Sequence, residues 1–120
     1  LTPPIVVLTS NDQRDLSDAL KRRCLYLYID YPEPDLEAAI VAAQVPEAGD
    51  ALRREAMAFI KRVRDLDLRK PPGISETLDW VRSLQALQLN NLDGPELRYT
   101  LAALLKHRSD LQRTLDALLN

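Results

Sequence analysis

Two kinds of polar side chain near the start of the chain lie where they could contact a phosphate. Asn11 follows the apolar residues 5–8, a pattern typical of a buried strand that ends in a polar loop. An amide at the carboxyl end of a strand lies at the ligand-binding edge of an α/β sheet, although Asn is also a common turn residue. Arg22 and Arg23 follow one short predicted helix later. Guanidinium groups at that place either bind a phosphate or complement the helix dipole.

Two strands and a short helix have to hold these side chains. Ser17 is typical of a helix N-cap, and the apolar spacing after it predicts a helix that ends near Arg23. Leu and Ile alternate with Tyr and Asp along residues 25–30, which predicts a second strand. We therefore expect a strand–helix–strand piece. Its strands should pair with others upstream, because two strands alone do not make a stable sheet.

From residue 31 onward the patterning becomes helical. Pro32 and Pro34 form a turn or linker, and beyond them apolar residues recur at i, i+3, i+4 and i+7. This spacing predicts about five amphipathic helices, each with one buried face. The predicted buried positions are, helix by helix, Leu36, Ala39, Ile40 and Ala43; Leu52, Ala56, Phe59, Ile60 and Val63; Ile74, Thr77, Leu78, Val81 and Leu84; Leu97, Leu101, Leu104 and Leu105; and Leu111, Leu115, Leu118 and Leu119.

The predicted fold is therefore mainly α. Residues 32–120 should form a helical bundle, and residues 1–31 should be a strand–helix–strand remnant of an α/β core. Trp80 and Phe59 lie on or beside the apolar stripes and should pack in the core or at an interface. Ser75 follows the Pro71-Pro72-Gly73 break and is the expected cap of the helix after it.

The composition excludes several classes of protein. With 46% hydrophobic and 28% charged residues, the chain has enough apolar material for a core, and its net charge of -2 argues against a general nucleic-acid or membrane-surface binder. The single cysteine, Cys24, excludes an internal disulfide framework and is expected to be a small buried side chain in a reducing compartment, the cytoplasm. No apolar run approaches the roughly 20 residues of a membrane span.

The residues needed for a complete active site are absent from the sequence. With three glycines, one cysteine and one histidine, the chain has no G-x-x-x-x-G-K-[ST] phosphate-binding loop and no zinc-ligand spacing. We therefore expect that the chain works only as part of something longer.

The segments together resemble the C-terminal part of an AAA+ ATPase, and more closely its MoxR-type branch. The resemblance rests on "TSN" at residues 9–11, "LSDALKRRC" at 16–24, "LYLYIDYP" at 25–32 and "LRKPPGISETLDWVRSL" at 68–84. It runs from about residue 3 to residue 113, although the helical repeats after residue 90 are not specific.

The resemblance implies roles for the polar residues. Asn11 takes the place of the sensor 1 residue, which positions the attacking water or touches the γ-phosphate. Arg23, in preference to Arg22, takes the place of the arginine finger that reaches the nucleotide of a neighbouring subunit. The helices from about residue 35 become the lid domain. ATP and Mg²⁺ are the implied cofactors of the full-length protein, and this fragment alone should neither hydrolyse ATP nor bind it tightly.

The sequence departs from the family pattern at one place. Many AAA+ lids carry a sensor 2 arginine where this chain has Ser75 or Glu76, so Ser75 is the residue expected at that nucleotide-contacting position. Arg69 and Lys70 lie just upstream and could substitute for the missing arginine.

The implied partners are the other subunits of a homo-oligomeric ring and a protein with a von Willebrand A-type domain, with no nucleic acid and no membrane. An alternative is a helical protein–protein interaction module with no nucleotide role, which would bind a partner helix in a groove. A helical DNA-binding domain is a third possibility, disfavoured by the acidic net charge.

Overall fold

The computed structural model describes residues 2–10 and 16–119 of the chain. The chain divides into two compact units, Leu1–Asp30 and Tyr31–Asn120. The division lies one residue before the boundary that the change of patterning predicts. The expected sensor residue Asn11 lies outside the described residues.

The first unit contains one short helix, α1, Asp18–Arg23. Ser17 caps it as predicted, since the Ser17 hydroxyl accepts a hydrogen bond from the Leu20 amide at 3.2 Å. The helix ends at Cys24, whose amide donates to the Lys21 carbonyl oxygen at 3.4 Å. The Cys24 side chain is exposed, so the prediction that it is buried is wrong.

The two predicted strands are not formed in the described part of the chain. Residues 5–8 and 25–30 have no regular secondary structure, and their apolar side chains are exposed, with Ile5 at 95% and Leu25 at 101% of full exposure. A strand is stabilised by backbone hydrogen bonds to a neighbouring strand, and these segments have no such neighbour among the described residues. The expected strand–helix–strand remnant is therefore not seen in the described residues, where only its helix is formed.

The second unit is helical, as predicted. Its described residues form α2 Pro34–Gln44, α3 Asp50–Arg64, α4 Ile74–Ala86, α5 Glu96–Leu104 and α6 Arg108–Leu118. Proline at the first position of α2 fits a helix start, because the first turn has no intrahelical acceptor for that amide. Within the described ranges, no helix is both long enough and apolar enough to cross a bilayer.

One apolar core joins these helices. Trp80 is fully buried in it and lies against Phe59, with ring centroids 5.3 Å apart. The Trp80 indole N–H donates to the Thr100 hydroxyl at 2.8 Å, which satisfies a polar group that the core would otherwise leave unpaired. The buried apolar residues are Val41, Val45, Ala48, Leu52, Ala56, Phe59, Ile60, Val63, Trp80, Val81, Leu84, Leu97, Leu101, Leu104 and Leu105.

The predicted apolar faces match this core in α3 and α5, where every predicted position is buried. In α4 the predicted face is partly right, and in α6 the leucines are half-buried against the core. The predicted face of α2 is wrong: Leu36 is 56% exposed, and Glu37 and Val41 are buried instead. The helix is rotated from the predicted register because Glu37 turns inward to an arginine of α3.

Helix α4 ends in a Schellman motif. Gln88 has a left-handed backbone with φ 57°, the Gln88 amide donates to the Gln85 carbonyl at 2.9 Å, and the Leu89 amide donates to the Leu84 carbonyl at 3.0 Å. Leu84 and Leu89 both pack in or against the core. The motif satisfies two carbonyl groups that the end of the helix would leave without partners.

Candidate functional site

The predicted arginine-finger candidates are the last two residues of α1. Arg22 and Arg23 are exposed, and neither guanidinium has a hydrogen bond or ion pair to any residue that the structure describes. Their neighbour Lys21 lies over the Tyr26 ring, 5.0 Å from its centroid. The short capped helix thus ends in two exposed cations that remain available to an external anion.

Ser75, the other predicted contact, belongs to the second unit and is exposed as the second residue of α4. It is not the helix cap, so that prediction is wrong. Gly73 is the N-cap, and its amide donates to the Glu76 carboxylate at 3.0 Å. The helix cap lies two residues earlier than predicted because the Glu76 side chain reaches back to Gly73, as in a capping box.

Residues 69–73 form the second part of the connection between α3 and α4, and we call this segment the anchored loop. Asp110 of α6 holds its first part: the Arg69 amide donates to one carboxylate oxygen at 2.7 Å and the Lys70 amide to the other at 2.9 Å. Asp110 is only 3% exposed. Its charge is compensated by two backbone donors, which is how a carboxylate can be buried at tolerable cost.

Arg64 holds the second part of the anchored loop. Its Nε donates to the Pro72 carbonyl at 3.0 Å, and its two terminal nitrogens donate to the Glu37 carboxylate at 2.8 Å each. The guanidinium also lies over the Tyr31 ring, 4.6 Å from its centroid. Glu37, buried at 1% exposure, is therefore compensated by a bidentate partner.

Thr77 completes this polar cluster beneath the loop. Its hydroxyl donates to the Gly73 carbonyl at 2.9 Å and lies 3.5 Å from a Glu37 carboxylate oxygen. Three helices, α2, α3 and α4, thus contribute side chains to one buried network below the start of α4.

The result is a fixed backbone that carries two free cations. The Arg69 and Lys70 side chains are exposed and have no polar partner among residues 2–10 and 16–119. They precede a helix of 13 residues whose N-cap amide, at Gly73, already donates to the Glu76 carboxylate. The two exposed cations can attract an anion such as a phosphate group. In the described ranges, no cluster of three or more His, Cys, Asp or Glu side chains is placed to hold a metal ion.

Sequence reasoning missed Glu37, Arg64 and Asp110. A signal for Glu37 exists, since it lies four residues before Val41 within an otherwise apolar stretch of α2. A carboxylate on such a face requires a cation or several amides as partners. Nothing local to Arg64 or Asp110 identifies them as those partners, because the contacts span 27 and about 40 residues of sequence.

Comparisons with known proteins give no further identification. No family model, no curated protein and no solved structure matches this chain.

Proposed function

We propose that this chain is the C-terminal part of a MoxR-type AAA+ ATPase, a chaperone-like factor that uses ATP hydrolysis to remodel or mature other proteins. In this proposal Arg23 is the arginine finger, Asn11 the sensor 1 residue and the helical unit the lid. The phosphate-binding loop and the Mg²⁺ ligands belong to an upstream part of the full-length protein. The proposed partners are the other subunits of a homo-oligomeric ring and, separately, a protein with a von Willebrand A-type domain.

The observation that carries the proposal is the pair of free guanidinium groups at the end of α1. Arg22 and Arg23 are exposed and without polar partners among the described residues, in a segment whose sequence resembles the finger helix of this family. A finger has to be unpaired within its own subunit in order to reach charge that develops on another.

The anchored loop supports a nucleotide role for the helical unit. Arg69 and Lys70 lie just upstream in sequence of the place of the missing sensor 2 arginine, and Asp110 fixes their backbone. We propose that they contact the nucleotide in place of that arginine. The paired substitution Arg69→Ala and Lys70→Ala should then raise the Kd for ATP about tenfold, while Arg62→Ala, an exposed arginine of α3, should leave it unchanged.

The test of the finger is ATP turnover by the full-length protein at a concentration where subunits assemble. Arg23→Ala should lower turnover by about a hundredfold or more with ATP affinity intact. A loss confined to Arg22→Ala would move the role to Arg22. Normal turnover in both variants would exclude a finger in α1, and a full-length protein that neither binds nor hydrolyses ATP would favour the helical interaction module.

A further inference from the structure

Helix α2 is rich in apolar residues, and several of them lie outside its buried face. Its buried residues are Glu37 and Val41, whereas Leu36 is 56% exposed and Ala38 and Ala39 are exposed. Apolar residues of a helix normally face a packing partner. The outer face of α2 therefore has the composition of a contact surface without a contact among the described residues.

A groove runs beside this outer face, between α2 and α3. Its volume is ≈ 460 Å³, within the range of about 300–1,000 Å³ that is usual for binding sites. The short side chains of α2 leave room for a partner backbone to approach, and Met57 adapts its shape to what it contacts. The residues that line this α2–α3 groove are Ala38, Ala42, Asp50, Arg53, Arg54 and Met57.

The charge of the groove wall selects the partner. Arg53 is occupied, since it donates to the Ala48 carbonyl at 2.6 Å and to the Asp50 carboxylate. Arg54 is exposed and has no hydrogen bond or ion pair to the described residues. Lys61, two helical turns further along α3, is also exposed. Since Asp50 and Arg53 pair with each other, Arg54 leaves the groove wall with one excess positive charge. An apolar floor beside that charge fits an apolar partner that carries a carboxylate better than a basic one.

The shape of the groove favours a helix as that partner. The lining residues of α3 extend from Asp50 to Met57, two helical turns or about 10 Å. The groove is therefore long enough for apolar anchors at i, i+4 and i+7 of a second helix.

We propose that the α2–α3 groove docks an amphipathic helix of another polypeptide, with its apolar stripe on Ala38, Ala42 and Met57 and an acidic side chain on Arg54. This inference is independent of the nucleotide role, because none of these residues belongs to α1 or to the anchored loop.

The test is a titration of the ¹⁵N-labelled 120-residue chain, followed by amide chemical shifts. The probe is a synthetic helical peptide of about 15 residues with Leu at i, i+4 and i+7 and flanking Glu. The proposal predicts saturable shifts of the Ala38, Ala42 and Met57 amides. It also predicts about tenfold or greater weakening by Arg54→Glu, and a weaker effect of the same kind by the neutral Arg54→Gln.

Arg62→Glu is the matched control, since it reverses an exposed arginine of the same helix outside the groove. Its affinity should equal that of the wild type, and a peptide with Lys in place of Glu should not bind. The proposal is overturned if Arg54→Glu and Arg62→Glu lose peptide affinity equally, or if the Lys peptide binds as tightly as the Glu peptide. It is also overturned if millimolar peptide causes no saturable shifts of the groove amides. Groove shifts that depend on the concentration of the chain alone would identify a second copy as the occupant instead.

Discussion

The carboxylate of Glu37 and the guanidinium of Arg64 form two hydrogen bonds of 2.8 Å each, across 27 residues of sequence. The side chains are 2% and 19% exposed, so the pair is largely removed from water. Because Arg64 also donates to the Pro72 carbonyl, this ion pair joins α2 to α3 and holds the anchored loop at the same time.

The first prediction concerns this pair. Glu37→Ala leaves the Arg64 guanidinium without its anion in a poorly hydrated place and should lower the free energy of unfolding by about 3–5 kcal/mol. Urea unfolding of the 120-residue chain, followed by helical circular dichroism, measures the change. Replacing both partners, Glu37→Leu with Arg64→Met, should restore most of the loss, and Arg62→Ala should stay within about 0.5 kcal/mol of the wild type. A loss below about 1 kcal/mol in Glu37→Ala would contradict the assigned role.

Asp110 gives the second prediction. Asp110→Ala removes the acceptor of the Arg69 and Lys70 amides. It should lower the free energy of unfolding by about 1–3 kcal/mol. The hydrogen exchange of those two amides should accelerate more than that of amides in α3. Asp116→Ala is the control, because Asp116 is an exposed residue of the same helix. Unchanged exchange at residues 69 and 70 would show that Asp110 does not anchor the loop.

The third prediction uses the only tryptophan. Thr100→Val preserves the shape of the side chain but removes the hydroxyl that accepts the Trp80 indole N–H, leaving a buried donor unpaired. We expect a loss of about 1–3 kcal/mol in the free energy of unfolding, measured by Trp80 fluorescence during denaturation. Thr9→Val, at an exposed position of the first unit, should have no effect. Equal stability of the two variants would contradict the importance of this bond.

The fourth prediction is a gain in stability. Gln88 has a φ of 57°, which costs free energy for any residue with a Cβ. Gln88→Gly should therefore raise the free energy of unfolding by about 0.5–1 kcal/mol, as measured by thermal or urea unfolding. Gln85→Gly, within α4, should lower it by about 1 kcal/mol because glycine is unfavourable in helical backbone. Destabilisation by Gln88→Gly would contradict the Schellman assignment.

The helical unit could be read from the sequence where apolar periodicity decides the structure. In α3, Leu52, Ala56, Phe59, Ile60 and Val63 form one stripe, and all are buried. The prediction of the buried face of α2 is wrong because almost every side of that helix is apolar. Periodicity therefore does not distinguish one face from another. The register of α2 is set by Glu37, whose partner lies in another helix.

In the first unit, the apolar pattern predicts strands that its described residues do not form. The alternation along residues 25–30 is typical of a strand, yet these residues form none in this structure. Strand formation depends on a neighbouring strand, whereas the α1 helix is favoured by local interactions such as the Ser17 cap. The exposed Arg22 and Arg23 could be located from sequence, but the polar network below the anchored loop could not, because its contacts are long-range.

The proposed role of Arg23, contact with the nucleotide of a neighbouring subunit, can be tested by mixing two kinds of subunit. Full-length subunits carrying Arg23→Ala are mixed in equal amounts with subunits whose own phosphate-binding loop is disabled. Each preparation alone should be inactive. In the mixture, about a quarter of randomly formed interfaces pair an intact nucleotide site with an intact finger, so about a quarter of wild-type ATP turnover should return. A mixture as inactive as its two components would contradict action across the interface.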